Sequence, residues 1–301
     1  MKVIYGLRGI KGFRHAVVAL GIFDGIHLGH CRILKEAVKK AKAIKGKTIV
    51  ITFWPHPQRE RSIYSLEHRL RLLRQMGIDI CIVIKFTQVF KRISPENFIK
   101  DILIKKISPE YLYVGENFHF GRAAKGDCRL LRKLSRKYNF KIKTFKLLKI
   151  NQRPISSSYI RLLITQGNLR LAARLLLRPV SILGTVIKGY SWGRSLGFPT
   201  ANINPHHEVL PPEGIYAVRV IFNKRRLKGV CYIGGRPTFR RKGKKTIEVY
   251  IFNFNQNIYG KYLEIQFIKK IRDEKKFPAL NTLVEQIKND IKTAQEILAR
   301  H

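Results

Sequence analysis

Acidic residues are scarce in this chain: 19 Asp and Glu stand against 60 Lys and Arg in 301 residues, a formal net charge of +41. No acid at all occurs between Asp127 and Glu208. A chain this basic attracts nucleic acid, anionic lipid or phosphorylated small molecules. The excess is spread over the molecule, +28 in residues 1–178 and +13 in residues 179–301. It reads either as a funnel for polyphosphate or RNA, or as a lysine-rich compositional habit on a solvated surface. Cysteine is also sparse. Cys31, Cys81, Cys128 and Cys231 form no CxxC pair, which excludes a zinc ribbon and a small disulfide framework and leaves reduced, mostly buried thiols. No apolar run approaches the ~20 residues that span a bilayer, and the opening MKVIYGLRGIKGFRH lacks the apolar core of a signal peptide. A soluble cytoplasmic protein is the expectation.

With 45% hydrophobic residues and more length than one domain usually needs, two globular domains are expected. Up to Arg178, β-rich runs alternate with amphipathic helical patterns. The runs are AVVALGIF (16–23), TIVITF (48–53), ICIVIKF (80–86) and YLYVG (111–115); the helical patterns fall at 30–44, 65–76, 95–107 and 159–177. That alternation marks an α/β domain with a parallel sheet. Beyond Pro179 the rhythm changes to short β-rich runs separated by Gly, Pro and turns such as Asn223-Lys224, which suggests an antiparallel barrel. A last helix over 279–300 carries apolar residues at 280, 283, 284, 287 and 291, giving it one buried face.

Gly21-Ile22-Phe23-Asp24-Gly25-Ile26-His27-Leu28-Gly29-His30 lies where a buried strand gives way to a helix. In a parallel sheet, ligands bind at the carboxyl ends of the strands. The N–H groups and dipole of the following helix favour phosphate there. His27 and His30 can both reach phosphate oxygens and donate to charge that develops when phosphorus is attacked. Glycines at 25 and 29 allow close approach. One histidine beside a helix start is more often a cap or a packed residue; two histidines and three glycines together are harder to explain that way. Farther on, Ser156, Ser157 and Ser158 precede a helix with Arg161 one turn in. The hydroxyls suit capping and phosphate contact, and the Arg fork suits phosphate oxygens.

In the second half, GRSLGFPTAN (193–202) offers the Thr200 hydroxyl and the Asn202 carboxamide, hard oxygen ligands of the kind Mg2+ takes. Phosphoryl transfer needs such a metal to neutralise charge. Glu248 in TIEVY (246–250) is a carboxylate on an alternating strand, of the kind that acts as a general base when set beside a hydroxyl nucleophile. Taken alone, Pro-Thr-Ala-Asn is commonly a turn and a strand Glu commonly faces solvent.

Together these motifs resemble a known family. The HxGH element with the late Ser-Ser-x-x-Ile-Arg type segment is similar to the nucleotidyltransferase superfamily. GxFDGxHxGH, Thr52-Phe53-Trp54-Pro55-His56-Pro57 and Val114-Gly115-Glu116-Asn117-Phe118-His119-Phe120-Gly121 narrow the resemblance to bacterial bifunctional riboflavin kinase/FAD synthetase. GRxLGFPTAN, LPPEGIYAV, GGRPTF, EVYIFNF, IYGK and IRDEKKF resemble the riboflavin kinase module from end to end. The resemblance implies a Rossmann-like α/β nucleotidyltransferase domain over 1–178, followed by a six-stranded β-barrel riboflavin kinase domain with a C-terminal helix over 179–301. It implies that riboflavin is phosphorylated to FMN and FMN adenylylated to FAD, with ATP as co-substrate and Mg2+ as cofactor. His27 and His30 would serve adenylyl transfer, with Gly21, Phe23, Asp24, Gly29, Asn117, Ser156, Ser157 and Arg161 around ATP and its phosphates. His56 and Arg272 would meet flavin or nucleotide, Thr200 and Asn202 would hold Mg2+, and Glu248 would be the kinase base. The partners implied are these small molecules, with neither a membrane nor nucleic acid among them and with no oligomeric state indicated.

Four positions depart from the pattern: Trp54 where an acid often precedes Pro-His-Pro, Gly235 in the GGRPTF turn, and Asn253 and Asn257 where Asp is common. They bear on flavin affinity and turn geometry more than on reaction type. Two other readings stand beside the bifunctional enzyme. One is a nucleotidyltransferase with a different acceptor, which leaves the barrel unexplained. The other is an RNA-binding protein using a basic barrel with stacking aromatics.

Overall fold

Every residue of Ala16–Leu20 is buried, and alternate residues enter different cores: Ala16, Val18 and Leu20 join one cluster, Val17 and Ala19 another. A strand covered on both faces reads as an unbroken apolar run, the mark of a parallel sheet between helical layers. The computed structural model describes residues 1–56, 61–189, 196–235 and 245–300. Pro57, residues 193–195 of GRSLGFPTAN and residues 236–239 of GGRPTF lie outside the described residues. The chain parts into two units, Met1–Ser62 with Leu66–Tyr159, and Ile63–Ser65 with Ile160–His301.

The first unit holds a six-stranded sheet. In chain order its strands are β1 (Lys2–Tyr5), β2 (Ala16–Leu20), β3 (Lys47–Trp54), β4 (Ile80–Lys85), β5 (Pro109–Gly115) and β6 (Lys141–Phe145). In space the order is β1-β4-β3-β2-β5-β6, with every pairing parallel. Helices α1 (Leu28–Ala43) and α2 (Leu66–Gln75) cover one face through Leu34, Ala37 and Leu73. On the other face, the short turns α3 (Gln88–Lys91) and α4 (Pro95–Asn97) lead into a π-helical stretch, Phe98–Ile107, and α5 (Cys128–Lys137) completes the layer. A small hairpin, β7 (Lys149–Ile150) and β8 (Arg153–Pro154), precedes α6 (Ser157–Thr165) and α7 (Leu169–Leu176). The single helical pattern expected over 159–177 is thus two helices. Gly167 adopts φ 80°, and Asn168 starts α7 by accepting the Leu171 N–H at 3.3 Å, a break that apolar periodicity does not register.

The second unit takes in α6 from Ile160, α7 and a closed antiparallel barrel. Its strands are β9 (Ser181–Ile187), β10 (Thr200–Asn204), β11 (Gly214–Phe222), β12 (Arg225–Gly234), β13 (Thr246–Ile251) and β14 (Tyr262–Arg272), in spatial order β10-β13-β12-β11-β14-β9. β9 pairs with β10 to close the ring, so no sheet edge is left exposed. Asn223 and Lys224 join β11 to β12 with φ of 48° and 66°, as a two-residue hairpin of primed type requires. A C-terminal helix, α8 (Leu280–Ala299), packs on the barrel through Ala294 and Leu298 against Ala217. Leu283, Val284, Ile287 and Ile291 of the expected stripe are half-buried, and two positions depart from it. Leu280 is 58% exposed, and Asp290 is buried on the inner face, because a carboxylate with a cationic partner can occupy a core position that hydrophobicity alone would not assign to it. Among the described residues no helix is long and apolar enough to cross a membrane.

Candidate functional site

Strand β2 lies between β3 and β5, so the chain turns one way after β2 and the other way at β5. In such a sheet this switch point opens a ligand crevice at the carboxyl ends of the strands. The turn leaving β2 is strained. Phe23, Gly25 and Ile26 adopt φ of 52°, 77° and 45°, a region that costs a non-glycine residue on the order of 1–3 kcal/mol. Only Gly25 adopts it freely. Several donors hold the turn. Thr52 Oγ1 and Arg69 Nη1 both donate to Ile22 O, at 2.8 and 2.6 Å. Ser157 Oγ donates to Asp24 O at 2.9 Å, and Cys31 Sγ to Ile26 O at 3.3 Å.

Beyond the turn, His27 occupies the N-cap position of α1 with no side-chain cap bond. Its imidazole stacks on that of His30, with centroids 3.8 Å apart and planes at 20°, and the Phe23 ring meets His30 edge-on at 5.2 Å. The pair stands at a helix N-terminus, where free N–H groups and the helix dipole favour an anion. The six motif residues Gly21, Phe23, Asp24, His27, Gly29 and His30 therefore share one turn and the helix start. Ser157 is joined to that turn by its hydrogen bond, and Ser156 Oγ beside it accepts the Tyr159 N–H at 3.2 Å. His56 is buried just past β3, and exposed Asn117 just past β5. Both follow strands that flank β2. Arg161 lies one turn into α6 and belongs to the second unit.

In the barrel, Thr200 and Asn202 are on strand β10 rather than in a loop. Thr200 Oγ1 donates to Glu248 Oε2 at 3.2 Å, and Asn202 is paired opposite Glu248 in the β10–β13 ladder. Gly189 admits the Asn202 side chain: a Cβ there would lie 2.1 Å from Asn202 Nδ2. A hydroxyl, a carboxamide and a carboxylate are thus presented by two paired strands, an oxygen donor set that fits Mg2+ better than a soft metal. Arg272, expected to meet flavin or nucleotide, pairs with Asp290 in this structure. Its Nε and Nη2 donate to the Asp290 carboxylate at 2.8–3.1 Å, and its Nη1 donates to Asp273 O at 3.0 Å. This ties β14 to α8.

Sequence reasoning passed over Thr52, Arg69, Cys31 and Gly189. Arg69 leaves a trace: Leu66, Arg69, Leu70 and Leu73 share the i, i+3, i+4, i+7 spacing of one helix face, so an arginine interrupts the apolar stripe of α2. Burial pushes its guanidinium pKa down, and neighbouring Asp24 opposes that shift.

The family model described as FAD synthetase matches residues 10–159, and the one described as riboflavin kinase matches residues 176–298. Proteins named bifunctional riboflavin kinase/FMN adenylyltransferase are similar over nearly the full length. That of Buchnera aphidicola subsp. Schizaphis graminum is 37% identical, covering 98% of each chain. That of Bacillus subtilis is 37% identical, covering 91% of this chain and 90% of its own. That of Escherichia coli K12 is 33% identical, covering 98% and 97%. A crystal structure described as a macrolide-efflux protein from Streptococcus pneumoniae superposes with a TM-score of 0.82 at 28% identity, covering 96% of this chain and 97% of the other. Two matching modules in tandem and relatives that align from end to end lead to one conclusion: the chain belongs to the bifunctional riboflavin kinase/FMN adenylyltransferase family.

Proposed function

We propose that the chain phosphorylates riboflavin to FMN at the barrel and adenylylates FMN to FAD at the switch point of the parallel sheet, using ATP in both steps. The observation that carries the reading is the stacked His27–His30 pair at the start of α1, above a strained turn pinned by Ser157. In adenylyl transfer an FMN phosphate oxygen attacks the α-phosphorus of ATP and pyrophosphate leaves. His27 and His30 would donate to the charge on the transferring phosphate, with Gly21, Phe23, Asp24, Gly29, Asn117, Ser156, Ser157 and Arg161 around the nucleotide and His56 toward the flavin phosphate. Positioning and charge neutralisation supply most of such a reaction, with no covalent protein intermediate.

In the kinase step the riboflavin 5′-hydroxyl attacks the γ-phosphorus and ADP leaves. Glu248 would take the hydroxyl proton, and its hydrogen bond from Thr200 orients the carboxylate. Thr200 and Asn202 would hold Mg2+, which when bound neutralises phosphate charge. Arg272 would meet flavin or nucleotide, with its Asp290 pair restraining the guanidinium. The corresponding domains are 1–178 and 179–301, and the setting proposed is the cytoplasm, which four buried thiols suit.

Chromatographic separation of riboflavin, FMN and FAD after incubation with Mg-ATP tests both assignments. His30→Ala is expected to stop FAD formation and spare FMN formation, and Glu248→Ala to do the reverse. A folded variant in which one substitution silences both reactions overturns the two-site assignment.

A further inference from the structure

Arg69 is 1% exposed, as are Asp24 and Thr52. Arginine is almost never this buried unless it is paired, and burying a charge without partners is costly. Elsewhere on α2, Arg71 reaches outward to Glu67 at 3.2 Å in an exposed i, i+4 pair. Arg69 points inward with Leu70 and Leu73. Its fork spreads over three acceptors: Nη1 donates to Ile22 O at 2.6 Å and to Thr52 Oγ1 at 3.2 Å, and Nη2 to Phe53 O at 3.4 Å. Its charge is answered by the Asp24 carboxylate and by the Trp54 ring, whose centroid is 5.4 Å away. Trp54 is one of the departures from the family pattern, and here an indole face serves the cation where an acid is common.

Filling this space requires no charge; a leucine or methionine has the volume. The guanidinium acts on something other than volume. Its shortest bond ends on Ile22, the residue that leads into the turn through Phe23, Gly25 and Ile26, all at positive φ. A β-branched residue such as Ile26 is held at positive φ only where its surroundings over-determine it. Ile22 O is over-determined in this way, since it receives both Thr52 and Arg69. We propose that Arg69 is a positioning residue for adenylyl transfer: it locks the turn at 21–26 from below, so that His27 and His30 meet the nucleotide phosphates in register. Lysine cannot substitute fully, because a point charge lacks the planar fork that spans Ile22 O and Phe53 O. The inference rests on the adenylyl-transfer reading of the first unit.

The test uses the full chain, with Arg69→Met, Arg69→Lys and Thr52→Val. Three readouts are taken: kcat and the KM for ATP in FMN adenylylation, riboflavin phosphorylation by the same preparations, and amide hydrogen exchange. A misplaced reacting group costs about 100-fold in rate, and that loss in kcat/KM is expected for Arg69→Met, with phosphorylation unchanged. Exchange should rise at residues 21–26 while the β2 and β3 ladder stays protected. Arg69→Lys and Thr52→Val should fall between wild type and Arg69→Met. Wild-type kinetics in Arg69→Met with a protected ladder overturn the proposal. So does a loss of ladder protection in all three variants, which reduces Arg69 to core packing. If wild type makes FMN but no FAD, the adenylyl-transfer reading itself fails and takes the inference with it.

Discussion

Gly189 and Glu208 show how much single atoms decide in the barrel unit. At Gly189 a methyl group would collide with the Asn202 carboxamide at 2.1 Å, so Gly189→Ala must displace a side chain proposed to hold Mg2+. Overpacking of this kind costs about 1–3 kcal/mol, and riboflavin phosphorylation is expected to fall about tenfold or more. FMN adenylylation in the same preparation should remain, and equal losses in both reactions would argue against a local effect. Glu208 is 1% exposed, and its two carboxylate oxygens accept the Ser65 N–H at 2.7 Å and the Leu183 N–H at 2.9 Å. Glu208→Gln turns one acceptor into a donor facing an N–H. Charge-assisted bonds contribute about 1.5–3 kcal/mol each, so a clear fall in the urea midpoint is expected, and an unchanged midpoint would remove the carboxylate from the account of stability.

At the level of elements, α8 is held by Ala294, Ile297 and Leu298 and by the Arg272–Asp290 ion pair, in which both side chains are largely covered. Removing one partner of a buried pair strands the other charge and costs about 3–5 kcal/mol. Asp290→Ala is therefore expected to loosen α8, seen as faster amide exchange over 280–299 with the β11–β12 ladder still protected. The expected stripe through Leu283, Val284, Ile287 and Ile291 is half-buried, but Leu280 is exposed and Asp290 joins the inner face, because its partner lies on a strand 18 residues earlier. Strand β10 was missed for a related reason. Pro-Thr-Ala-Asn has turn composition, and its pairing with β13 and β9 makes it a strand. Strands β1 and β6 and helix α5 were also passed over: Lys141 and Lys143 interrupt the apolar signal at a sheet edge, and α5 is densely basic.

For the whole molecule, a net charge of +41 works against the compact state by self-repulsion. Salt shortens the Debye length from ~30 Å at 0.01 M to ~3 Å at 1 M, so the melting temperature is expected to rise with added sodium chloride, and a fall would show that attractive pairs dominate. Acid acts in the opposite sense. Glu36 and Asp101 are held below the usual carboxylate range by hydrogen bonds from Lys143 and Lys105, and Asp127 by the Leu130 and Arg129 N–H groups. A depressed folded pKa gives stability that is present above the usual values of 4.5 and 3.8 and is lost as pH falls through the folded values. A melting temperature that held steady from pH 6 to pH 3 would contradict this. The change from α/β rhythm to barrel rhythm near Pro179, the HxGH turn and the Ser-rich start of α6 are legible in the sequence, because each is written in local spacing and turn chemistry, whereas Thr200, Asn202 and Glu248 stand out only through the family resemblance. The tertiary structure alone decided that Arg69 braces the turn, that Glu208 binds Ser65 across 143 residues, that Gly189 makes room for Asn202 and that Arg272 is paired with Asp290. Those contacts join residues whose separation along the chain bears no relation to their separation in space.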